Sequence, residues 1–165
     1  MLSYLMAALI GGISISYEIK PYKVQGENLT EVLESINKNG PKDQFGVQRH
    51  AYAGWDIRWS WKKDFSDPKV TVKLSLTHPA WDGNCTEWGR YTAALIEHEM
   101  NHLSHALETA RKIKDTIENS KGLTEKALNI KLHHLLQKNR EFDLHYDKDT
   151  KNGRAEGVLL DTDAC

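Results

Sequence analysis

The chain has 165 residues, with 22 basic and 23 acidic side chains and a net charge of −1. That length suits one domain with a real hydrophobic core, and the near-neutral balance argues against a nucleic-acid or anionic-membrane partner, since either needs a basic surface. With only Cys85 and Cys165 present, at most one disulfide can form, and a cysteine-bound metal site is ruled out by count.

Residues 1–16, MLSYLMAALIGGISIS, carry no charged side chain and end at the small-x-small triplet Ser14-Ile15-Ser16. This is the texture of a secretory leader, too short to span a bilayer as a helix. Cleavage would start the mature chain near Tyr17 and place it in the periplasm or outside the cell, with no stable membrane insertion. A buried N-terminal strand is the alternative.

Tyr17 to Val24 reads as a first strand in which Pro21 suits an edge. Asn28 can cap a short helix, with Glu31 at the capping-box position and Leu29, Val32, Leu33 and Ile36 on one face, before Gly40-Pro41 stops it. Strands are expected at about Gly46 to Ala53 and Trp55 to Lys62, the second alternating Trp55, Ile57, Trp59 and Trp61 with polar residues. Lys69 to Thr77 alternates Val70, Val72, Leu74 and Leu76, and His78-Pro79 is expected to break it. From Thr86 to about Lys114 the chain reads as one long helix. After a Ser120-Lys121-Gly122 turn, Thr124 caps a second, to about His145. Strands early and helices late indicate an α+β domain over residues 17–165, a small antiparallel sheet and a short early helix packed on two long helices.

The first long helix carries His98-Glu99-Met100-Asn101-His102. Residues i and i+4 of a helix lie on one face, so both imidazoles can reach a single ion while Glu99 holds a water beside it. The histidines continue a stripe of Trp88, Tyr91 and Leu95, so they should face inward. His105 shares that face but lies about 10 Å beyond His98 along the axis, too far to bind the same ion. A third ligand must come from the second helix or its end, where His133, His134, Glu141, His145 and Asp147 are available.

Several segments taken together resemble one family. They are Asn39-Gly40-Pro41, the Trp-rich strand, Leu76-Thr77-His78-Pro79-Ala80-Trp81, Trp88-Gly89-Arg90-Tyr91 leading into the helical motif, and Tyr146-Asp147-Lys148-Asp149-Thr150-Lys151-Asn152-Gly153. Their order is similar to that in the secreted zinc-dependent proteases grouped as domain of unknown function 922. The resemblance implies an exported bacterial zincin-like metallopeptidase. In that family the late segment usually reads Tyr-Asp-x-x-Thr-x-His-Gly, and Asn152 stands here where the histidine would be. Asp147, inside that segment, is favoured as the third zinc ligand, with His145 second.

The expected chemistry is hydrolysis of a peptide or protein substrate. Zn2+ held by His98, His102 and Asp147 activates water, Glu99 is the general base, and Tyr146 donates a hydrogen bond to the oxyanion. The strand from Val70 to Thr77 is the expected edge for pairing with an extended substrate. Two other readings compete. One is a non-enzymatic periplasmic module whose metal site, closed by four protein ligands, only links the helices; the other is a binding protein with solvent-exposed indoles.

Overall fold

The computed structural model describes residues 4–165, with β1 (Tyr4–Ile10), β2 (Ile13–Lys23), α1 (Leu29–Asn39), β3 (Tyr52–Ser60), β4 (Lys69–Ala80), α2 (Thr86–Glu118), α3 (Glu125–Asp149) and a 3-10 turn (Arg154–Glu156). The strands form one sheet in the order β1-β2-β4-β3. The fold is α+β, as expected, but the sheet is mixed: β1 and β3 pair antiparallel with their neighbours, whereas β2 and β4 run parallel. Each parallel strand turns one alternating apolar face towards α2, in a cluster that α3 completes.

Local chemistry sets the element ends. The Asn28 side chain accepts from the Glu31 N–H at 3.0 Å, and Glu31 reaches back to the Glu27 N–H at 2.8 Å, so orphan donors at the start of α1 are satisfied. Gly40 ends α1 where a β-carbon would lie 2.1 Å from the Arg49 carbonyl oxygen, a close approach that only glycine permits. Thr124 caps α3 by accepting from the Ala127 N–H.

Three strand expectations need correction. Residues 46–51 are not a strand. The Asp43 carboxylate accepts from the Phe45 and Val47 N–H groups, Gly46 sits at φ 79°, and the segment curls into a turn closed by a Lys42–Gln48 bridge. Strand β4 runs through His78-Pro79 to Ala80. The Ala80 carbonyl accepts from Val24 on the β2 side, so the N–H that Pro79 lacks would point to the other side, where pairing with β3 has ended at Thr77. Finally, β4 is interior, flanked by β2 and β3, and the strand with a free edge beside the long helices is β3.

Residues 1–16, read as a leader, fall partly outside the described residues; Tyr4 to Ile10 pair with β2 and all seven side chains are exposed. Among the described residues, no helix is long and apolar enough to cross a membrane.

Two apolar clusters share α2. One joins the inner face of the sheet to Leu103, Ala106, Ala110, Ile113 and Ile117 of α2 and to Leu128 and Leu132 of α3. The other joins Trp88, Tyr91 and Leu95 of α2 to Leu29, Val32 and Ile36 of α1 and to the tail residues Val158 and Leu160. A fully buried aliphatic such as Ile113 or Ile36 contributes roughly 1.5–3 kcal/mol. Trp55, Trp59 and Trp61 are half-buried against the first cluster, which counts against an exposed stacking platform.

Candidate metal centre

Helix α2 brings His98 and His102 inward, 4% and 7% exposed, from the middle of its apolar stripe. Facing them on α3 is a polar stripe at four-residue spacing, Asn139, Asp143 and Asp147. Asp147 Oδ1 lies 3.2 Å from His98 Nε2 and 2.9 Å from His102 Nε2. The three residues bring one donor atom each within 4.8 Å of one another, a possible metal-binding triad. Two imidazole nitrogens and a carboxylate oxygen are the donor chemistry of an open divalent-metal site.

The opposite ring nitrogens are also held. His98 Nδ1 is 2.7 Å from Glu156 Oε2, and His102 Nδ1 is 2.8 Å from Asp143 Oδ1, whose other oxygen accepts from Trp55 Nε1 at 2.9 Å. A carboxylate behind each ring fixes its orientation and raises its basicity, as partners behind metal-binding histidines do. Burial alone would lower the His102 pKa, but the hydrogen bonds with Asp143 and Asp147 outweigh it and push it up to about 10. His98 moves up too, where burial is outweighed by Asp147 and Glu156. The Asp147 carboxyl is driven well below the usual range, its burial overcome by the two imidazoles.

Glu99 lines the same cleft. Its Oε2 accepts from the Ala53 N–H on β3 at 2.7 Å, and Oε1 has no hydrogen-bond partner among the described residues. Burial raises its pKa against the pull of both histidines. The cleft, about 680 Å³, runs over this triad between β3, α3 and the 43–51 loop.

Gly153 closes the far side at φ 80°, with its β position 3.1 Å from His98 Cγ.

The other candidates separate cleanly. Tyr146 stacks on the His98 ring with centroids 5.0 Å apart; its hydroxyl donates to Glu156 Oε1 and accepts from Asn101, both at 2.7 Å. Burial and the Glu156 bond push its pKa up to about 12. His105 binds Asn139, and His133 meets Trp59 edge-on; neither faces the triad. His145 is exposed and outside the cluster. Asn152 accepts from Arg49 Nη1 at 2.7 Å. Asp143 and Glu156 were missed by sequence reasoning. Asp143 had a usable signal, its spacing of four from Asp147; Glu156 had none, because a chain reversal after α3 brings it to His98.

A family model described as bacterial protein of unknown function, DUF922, matches residues 19–154. The chain belongs to this family. The family match spans every element of the centre except Glu156 and starts inside β2. No curated protein and no solved structure matches the chain.

A strap completes the site. The tail after Gly153 returns along the start of α2, where Arg90 donates to the Gly157 and Leu159 carbonyls, Glu87 accepts from the Asp161 N–H, and Cys85 is disulfide-bonded to Cys165.

Proposed function

We propose that the chain is an exported zinc-dependent peptidase whose ligands are His98, His102 and Asp147. The observation that carries this reading is the convergence of three donor groups on one point at the floor of a cleft, with a buried carboxylate, Glu99, beside them. The donor set fits zinc: both histidines present Nε2 to the shared point and each has its Nδ1 backed by a carboxylate. A bound ion would supply Lewis acidity, polarising a scissile carbonyl and acidifying a water.

The rest of the chemistry belongs to this chain's own groups. Glu99 is held by one oxygen to the Ala53 N–H, leaving the other to accept a proton and pass it to the leaving amine. A pKa raised by burial brings that carboxyl towards neutrality, where a general base works best. The Ala53 N–H points away from β4, so β3 presents its free backbone edge to the cleft, where an extended peptide can pair with it. Tyr146 has its proton committed to Glu156, which favours holding Glu156 and His98 in place over donating to an oxyanion.

The competing structural-metal reading requires a fourth protein ligand, and only three donor groups converge among the described residues. Export is supported by the charge-free apolar run of residues 1–16. The deciding experiment pairs metal content with hydrolysis of a peptide library. Glu99→Gln should keep zinc and lose turnover, Asp147→Ala should lose zinc, and His145→Ala should change neither. Turnover by Glu99→Gln, or a full metal complement in Asp147→Ala, would refute the assignment.

A further inference from the structure

Every carboxylate that lines the cleft is engaged by a donor. Asp43 is paired with Arg49 at 2.8 Å, Asp143 with His102 and Trp55, Asp147 with both ligand histidines, and Glu99 with the Ala53 amide. The cations are not so matched. Arg140, Lys151 and Arg154 line the same cleft, and none has a carboxylate within ion-pair distance among the described residues. Arg140 projects from α3 with its guanidinium 5.9 Å from the centre of the Trp55 indole. Lys151 and Arg154 flank Gly153, the residue packed on His98, so both charges enter within a few residues of the proposed reaction centre.

The backbone carrying Lys151 is itself unusual. Lys151 and Asn152 are consecutive non-glycine residues at φ 54°, a left-handed conformation that Asn tolerates and that costs Lys151 about 1–2 kcal/mol. Such strain persists only where its surroundings hold it, and it concentrates at functional sites. Here it is fixed by the Asn152 N–H bonding to the Asp147 carbonyl and by Arg49 bonding to the Asn152 side chain. Among the described residues, the charged groups of the cleft that have no oppositely charged partner within ion-pair distance are three cations, Arg140, Lys151 and Arg154, and one anion, Glu99.

We propose that Lys151, Arg154 and Arg140 form a binding site for a substrate carboxylate, so that the cleft selects acidic peptides. This inference rests on the peptidase reading for its substrate class, but its test is a binding measurement. The carboxylate can come from an Asp or Glu side chain or from a free peptide C-terminus, and both meet the same three cations.

The experiment uses the Glu99→Gln protein and fluorescent peptides identical except for Glu, Gln or Lys at the positions flanking the target bond, each with a free or an amidated C-terminus. Fluorescence anisotropy at low ionic strength should give the Glu peptide an advantage of about tenfold over Gln, shrinking as salt is raised. The paired substitution Lys151→Gln and Arg154→Gln should abolish that advantage while metal content stays at the wild-type level. An advantage that follows the free C-terminus instead of the side chain, and is lost in the same variant, assigns the site to a terminal carboxylate. Equal affinity for all the peptides, no binding of any, or an advantage that survives the paired substitution overturns the proposal. Tight, charge-selective binding without hydrolysis by the wild-type chain would refute the peptidase reading and leave the carboxylate site standing.

Discussion

Replacing Gly153 by alanine separates two costs that the structure makes measurable. The residue sits at φ 80°, and an added β-carbon would lie 2.6 Å from Val158 Cγ2 and 3.1 Å from His98 Cγ. Gly122 provides the reference, at φ 83° with nothing within 4 Å of the same position. Gly122→Ala therefore meets only the left-handed backbone penalty, about 1–2 kcal/mol. Gly153→Ala meets that penalty plus overpacking of a formed core, about 1–3 kcal/mol more. For a chain of this size each kcal/mol lowers Tm by about 2–4 °C, so the two variants should differ by roughly 2–12 °C. Urea denaturation gives the free energies directly, with an unchanged slope confirming that both variants unfold alike. Because the His98 ring must yield by a few tenths of an ångström, zinc affinity should also fall in Gly153→Ala and stay unchanged in Gly122→Ala. Equal destabilisation of the two, or wild-type zinc affinity in Gly153→Ala, would refute the packing assigned to this turn.

Asp143→Asn and Glu156→Gln should each weaken zinc binding by about 10–100-fold without removing a ligand, as measured against a competing chromophoric chelator; affinities within twofold of wild type would mean the two carboxylates do not support the rings. The Glu87 carboxyl is lowered to about 2, chiefly by its hydrogen bond with Arg90 and then by the Asp161 N–H. A depressed folded pKa means that the strap's hold is complete above the ordinary glutamate range and is lost as pH falls through about 2. The Asp161 amide resonance should titrate there, and a midpoint near 4.5 would contradict the contact. Cys165→Ser opens a bridge between residues 80 apart and should cost about 2–4.5 kcal/mol in urea denaturation; a loss under about 0.5 kcal/mol would show that the unfolded chain is not constrained by it.

Local chemistry specifies much of the fold. The caps at Asn28 and Thr124, the stop at Gly40, and the alternation from Val70 to Leu76 each depend on neighbours within a few residues. The inward face of α2 was legible because Trp88, Tyr91, Leu95, His98 and His102 repeat at helical spacing. What escaped depends on distant partners. The parallel pairing of β2 with β4 skips over α1 and β3, and nothing in either strand's alternation names its neighbour. Pro79 looked like a terminator because its lost N–H matters only if a strand lies on that side. At the centre, Asp147 was reached through the family-like segment, and helix α3 runs past His145 to carry it on the same face as Asp143. Glu156 depends on a left-handed turn that doubles the chain back, a path set by Gly153 rather than by any pattern around the acid itself.

The two apolar clusters meet along α2 without merging, and His98 and His102 occupy the stretch where the rod passes from one to the other. A single continuous core would have filled that space with aliphatic side chains. The seam leaves a hollow lined by both clusters and crossed by imidazoles and acids. Ala51, Leu95 and Val158 wall that hollow from the cluster that holds Ile36, and Ala53 and Trp55 wall it from the cluster that holds Ile113.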